Sequence, residues 1–175
     1  MKSMKLLGAG LALAATAACA PVVQGGPPMA LAPEWVEGAR VDVIYLSSDW
    51  LQSEEDFADT FTDEVREELA RCAAGPRRVN LRVHLDDLRR AGRLEVLLNG
   101  EGMHTLSGLA EFTDPQSGAV VGRYPISVAT QAGGRLAGLV GDRQMMVSEE
   151  WGRALCMEAF GRNPRGPSIA NATSG

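Results

Sequence analysis

The fold that the 175-residue sequence predicts is an α+β two-layer sandwich: a mixed sheet in the order β-α-β, hairpin, α, with two long helices on one face. Three observations carry that expectation. The β-branched and aromatic run "RVDVIYLS" precedes a stripe of apolar residues at helical spacing. The strictly alternating segment "VNLRVHLD" follows the stripe. The turn sequence "DPQSG" then joins two segments whose apolar residues can pair across it.

Taken in order, "RVDVIYLS" from Arg40 is apolar enough for a strand covered on both faces, which puts it at the centre of the sheet. Ser53, with Asp56 three residues on, forms a variant capping box. Phe57, Phe61, Val65, Leu69 and Cys72 then line one side of a helix of about five turns, stopped by Gly75 and Pro76. In "VNLRVHLD", Val79, Leu81, Val83 and Leu85 point one way and Asn80, Arg82, His84 and Asp86 the other. One face is covered, and the other meets water or another chain. Strand, helix and strand in this order make a parallel pair with a crossover. Asp87 to Met103 reads equally as a short helix or an irregular strand.

Around "DPQSG", Asp114 to Gly118, Pro stands early and Gly stands where a positive φ is expected. Setting Thr113 opposite Ala119 pairs Phe112 with Val120, Ala110 with Gly122, Gly108 with Tyr124 and Leu106 with Ile126. All of these fall on one face, with Glu111 and Arg123 on the other. The connector "QAGGRLAGLVGD" lacks the spacing of a phosphate loop. It leads to a second amphipathic helix carrying Val147, Trp151, Leu155 and Ala159, with Phe160 alongside, that ends near Gly161. The domain so read spans 40–161, and 162–175 is a disordered tail without apolar pattern.

Ahead of the domain, "MKSMK" is followed by an uncharged stretch, Leu6 to Ala18, shorter than the roughly 20 residues that a spanning helix needs. It fits the hydrophobic region of a signal peptide. Its end, "TAACAP", resembles the lipobox of bacterial lipoproteins. The resemblance implies that residues 1–18 are a signal peptide removed at maturation and that Cys19 is the lipidated residue, carrying acyl chains such as palmitate. With Ala20 rather than Asp after the cysteine, it further implies a lipid anchor in the outer membrane of a Gram-negative cell, facing the periplasm. Each buried methylene of such chains contributes about 0.8 kcal/mol, so two or three chains suffice for lasting attachment. The alternative is an ordinary secreted protein with a cysteine at its cleavage site. Residues 19–39, rich in Pro and Gly, read as a flexible tether.

Removal of the signal removes Lys2 and Lys5 and leaves 15 arginines against 22 acidic residues, a net charge of −7. Such a chain is unsuited to nucleic acid, and without lysine it can form neither a P-loop nor a Schiff base. Arg71, Arg77, Arg78, Arg82, Arg89, Arg90 and Arg93 cluster, while Glu54 to Glu68 is acidic. These are two solvated faces, or else the arginines form a basic patch for anionic lipid headgroups or an acidic partner.

Few residues offer chemistry. Cys72 and Cys156 sit late in the two helices and read as a possible disulfide or as two buried thiols. His84 and Asp86 share one side of a strand but lack a third metal ligand, and His104 reads as a half-buried residue with a hydrogen bond. Glu149 and Glu150 read as solvated. No G-x-S-x-G surrounds a serine. The expectation is therefore a protein that is not an enzyme and has no cofactor and no metal site. The order of elements, densest in "GEGMHTLSGLAEFTDPQSGAVVGRYPI", is similar to a group of small uncharacterised envelope lipoproteins whose domain resembles the amino-terminal domain of TolB and the curli-secretion lipoprotein. That resemblance implies an interaction or assembly module in the cell envelope, with an envelope protein or further copies of the chain as partner. The alternative is a binding protein for a small amphiphile or glycan, with a pocket near Gly108, Tyr124 and the Gly-rich connector.

Overall fold

A computed structural model describes residues 22–50, 55–89, 102–132 and 140–164. Its elements are α1 (Pro33–Gly38), β1 (Ala39–Ser47), α2 (Glu55–Cys72), β2 (Arg77–Arg89), β3 (Gly102–Thr113), β4 (Val120–Ala132) and α3 (Val140–Phe160). The four strands form one mixed sheet in the order β1-β2-β3-β4, with β1 and β2 parallel and the remaining pairs antiparallel. The α+β class and the mixed sheet are as the sequence predicts, and α2 and α3 pack together on one face.

The helical stripe is buried as its spacing requires: Phe57, Phe61 and Val65 are wholly inaccessible, with Leu69 and Cys72 beside them. They meet Val147, Trp151, Leu155 and Cys156 of α3, and Phe61 lies edge-on to Trp151 with ring centroids 5.1 Å apart. Gly152 permits this approach, since a Cβ there would stand 3.0 Å from Glu68 Cβ and 3.2 Å from Val65 Cα. Val79, Leu81, Val83 and Leu85 of β2 close the core from the sheet side. The second helix begins before its apolar stripe and ends at Gly161, whose φ of +62° terminates it. There Arg162 donates to the Cys72 carbonyl at 2.8 Å, a cation at the C-terminal end of α2.

Three expectations are corrected. First, β1 is an outer strand, not a central one. Among the described residues one layer of helices covers the sheet, so a strand of continuous apolar character is half-covered. A bulge between Val41 and Val43 leaves Val43 exposed. Second, the hairpin register differs by two residues. Thr113 pairs with Val120, Phe112 with Gly122, Ala110 with Tyr124, Gly108 with Ile126 and Leu106 with Val128. Asp114 and Ala119 close the turn through a 2.9 Å backbone bond, and a bulge beyond Thr113 absorbs a further residue. A shift of two preserves which face every side chain takes, so the separation of Glu111 and Arg123 from the core survives. Third, the segment read as a flexible tether is docked on the domain from Gln24 onward and includes the short helix α1.

The turn itself matches its sequence. Gly118 has φ +71°, and Asp114 accepts from the Gln116 N–H at 2.9 Å and the Ser117 hydroxyl at 2.8 Å. Those two donors hold the Asp114 carboxyl below the usual carboxylate range. Strand β2 continues through Arg89, resolving the first part of the stretch that read two ways. The remainder lies outside the described residues, as do Ser53, most of the Gly-rich connector and the end of the tail.

Candidate functional site

Strand alternation sends Ala110 and Phe112 into the core and Glu111 to the opposite, open face of the sheet. Glu111 is nevertheless wholly buried, because the N-terminal arm lies across it. Its Oε2 accepts the Gln24 N–H at 2.7 Å, and its Oε1 accepts the Gly25 N–H at 3.0 Å and the Arg123 Nε at 2.8 Å. Arg123 also donates to the Pro27 carbonyl at 3.0 Å. Gly26, with φ +124°, lets the backbone pass, since a Cβ there would come within 2.8 Å of the guanidinium.

Beyond this clamp the arm becomes a strap. Met29 and Arg123 exchange backbone hydrogen bonds of 2.9 and 2.7 Å, adding a one-residue bridge to the outer edge of β4. The chain then rounds that edge to the helix side. There Leu31 is buried against Gly122, and its N–H donates to the Tyr124 hydroxyl at 2.7 Å. Burial pushes the Tyr124 phenol above its ordinary pKa, an effect opposed by the Leu31 hydrogen bond. Pro33 starts α1, whose Trp35 lies under the Arg77 guanidinium at 4.6 Å, and the chain enters β1 on the far side of the sheet.

On the open face one cross-strand row runs Tyr45, Arg82, Glu111, Arg123, so that two arginines flank the buried carboxylate. Arg82 Nε is buried and has no hydrogen-bond partner among the described residues. The next row runs Ser47, His84, Leu109, Pro125. Arg82, Leu109 and Arg123 thus share the open face, whereas Val121, at the bulge, packs against the core.

Ser47 Oγ lies 3.1 Å from His84 Nδ1, and His84 Nε2 stands 3.9 Å from Asp86 Oδ1. Ser47 Oγ also lies 3.0 Å from the Val83 carbonyl, to which it donates, so that Val83 and His84 share the one hydroxyl. Among the described residues no three His, Cys, Asp or Glu side chains are grouped to hold a metal.

Other sequence-derived candidates are placed as follows. Cys72 and Cys156 are joined by a disulfide across 84 residues. His104 is buried on the core side of β3, and Glu150 pairs with Arg153 on α3. Of the pocket expected near Gly108, Tyr124 and the Gly-rich connector, the space beside Gly108 and Tyr124 is filled by Leu85 and Leu31, and the connector side lies outside the described residues. A shallow cleft of 720 Å³ lies instead at one end of the sheet, lined by Trp35, Asp42, Arg77, Arg78, Asp114 and Gln116. Cys19 lies outside the described residues. Sequence reasoning missed the strap and Ser47. The exchange of Met29 with β4 has no sequence signature, whereas a glutamate alternating onto an open face opposite an arginine was visible.

No family model matches the chain, and no curated protein matches it. Solved structures similar to it include a candidate lipoprotein from Caulobacter crescentus, 16% identical over 75% of this chain and 93% of that one, with TM-score 0.46. The L103M variant of the PelC dodecamer from Paraburkholderia phytofirmans is 14% identical over 77% and 96%, with TM-score 0.43. Protein XCC0632 of the DUF330 family, from Xanthomonas campestris, is 12% identical over 75% and 94%, with TM-score 0.42. Likeness at this level assigns neither a family nor an activity.

Proposed function

We propose that this chain is a lipid-anchored, non-enzymatic interaction module of the bacterial envelope, attached to the outer membrane through acyl chains on Cys19 and facing the periplasm. The observation that carries the reading is the docked strap. The arm is bonded to the sheet at Gln24, five residues after the cysteine of "TAACAP", so whatever holds that cysteine holds the domain close by. The disulfide supports an oxidising compartment. No helix among the described residues is long and apolar enough to cross a membrane. Among the described residues the outer edge of β1 carries no further strand, and such an edge can engage an envelope protein or a second copy of the chain. The test is metabolic palmitate labelling with membrane fractionation, followed by crosslinking in intact cells. The wild-type chain takes up label and sediments with membranes, and Cys19→Ala does neither. Identical behaviour of the two proteins would overturn the reading.

A second reading, binding of a small glycan or amphiphile, moves from its expected location to the cleft beside Trp35, where an aromatic ring lies next to polar groups. Mass spectrometry of the purified protein, wild type and Trp35→Ala, checks it. A bound species found on the first and missing from the second supports it.

A further inference from the structure

We propose that the open face of the sheet rests on an anionic lipid surface, with the helix layer turned away from it. The inference builds on lipid attachment at Cys19 and concerns the orientation which that attachment imposes. Gln24 is fixed over the middle of the open face by its bond to Glu111. Five residues of fully extended chain span at most about 18 Å, so the acylated sulfur lies within that radius of the open face. To bring the helices to the bilayer, the linker would first cross one strand spacing of about 5 Å to the β4 edge. It would then pass the sheet and a helix layer at least 10 Å across, and so would be spent before any acyl chain entered the hydrocarbon. On the open side no such detour is needed.

The charge distribution agrees independently. Helix α2 carries seven acidic residues against two arginines, and Glu149 of α3 adds to that field. The crowding and partial burial hold the Glu64 carboxyl above its ordinary pKa, burial being the larger cause. The open face instead presents Arg40, Arg78, Arg82 and Arg89 against Asp42, Asp86 and Asp87, with Asp42 the partner of Arg78 at 3.5 Å and Asp87 that of Arg89 at 2.7 Å, so it lacks the acidic excess of α2. Within a Debye length of about 8 Å, an anionic surface attracts the second face and repels the first.

The test uses the acylated full-length chain in vesicles of phosphatidylethanolamine with a minor fraction of phosphatidylglycerol and a headgroup-attached quencher lipid. A fluorophore is placed at Ser127→Cys on the open face or at Ala70→Cys on the outer side of α2, both exposed positions. The expected result is severalfold stronger quenching at position 127 than at position 70. Inserting a Gly-Ser spacer after Ala20, which leaves strap and core intact, erases most of the difference. Equal quenching, or stronger quenching at position 70, with the protein still floating with the vesicles overturns the orientation and leaves the anchor standing. A chain that does not float with the vesicles overturns the anchor reading itself.

Discussion

Glu111 shows what one residue can organise. A carboxylate with no access to water is stable here because a guanidinium and two backbone N–H groups share it. Breaking such a buried pair from one side costs roughly 3 to 5 kcal/mol. Glu111→Gln should therefore lower the urea midpoint sharply and open the strap to protease, with cleavage around Gly25 preceding global unfolding. Tyr124 predicts a pH effect with a definite sign. Its folded pKa is raised above the unfolded value of 10.0, so its contribution is fully present below that value and fades as pH rises through the folded pKa. Thermal melts at increasing alkaline pH should show a loss that Tyr124→Phe diminishes, while that variant is about 1 to 3 kcal/mol less stable at neutral pH because the buried Leu31 N–H loses its acceptor. Alternation along β3 and β4 revealed in advance that Glu111 and Arg123 share the open face. The sequence could not reveal that backbone donors from Gln24 and Gly25 complete the set, because a Gly-Gly-Pro-Pro segment has the composition of a linker whether or not it docks.

At the scale of elements, helix pairing was the most legible part, since a four-residue apolar step leaves one packing face per helix. What it concealed was how closely the two approach. Gly152→Ala should cost about 1 to 3 kcal/mol, read as a lowered melting temperature, because the new methyl meets the Val65 backbone and not a flexible chain end. The covalent link between the helices closes a loop of 84 residues, worth roughly 4 to 5 kcal/mol by loop-closure entropy. A Cys72→Ala, Cys156→Ala double variant should lose a stability of that order in denaturant titration, and reductant should reproduce the loss in the wild type. The position of β1 was misjudged for a physical reason. A continuous apolar run reports how hydrophobic a strand is, not how many layers exist to cover it, and a bulge can turn one of its valines outward. The hairpin register escaped for a related reason: two insertions, one in the turn and one in the strand, cancel in facing and so leave no trace in the apolar pattern.

For the whole molecule, the arrangement is polar: acidic helices on one side, an arginine-bearing sheet on the other, and the chain's own beginning stitched around the edge between them. The disulfide adds a constraint of a different kind, on the order of events during biogenesis. Cys72 emerges early and must wait for β2, β3, β4 and most of α3 before its partner exists. Throughout that interval the only other sulfhydryl in the chain is the one at position 19. Fatty acylation would take that competitor out of circulation, so a cell unable to lipidate this protein should accumulate 19-to-72 crosslinked isomers, resolvable by peptide mapping under non-reducing conditions.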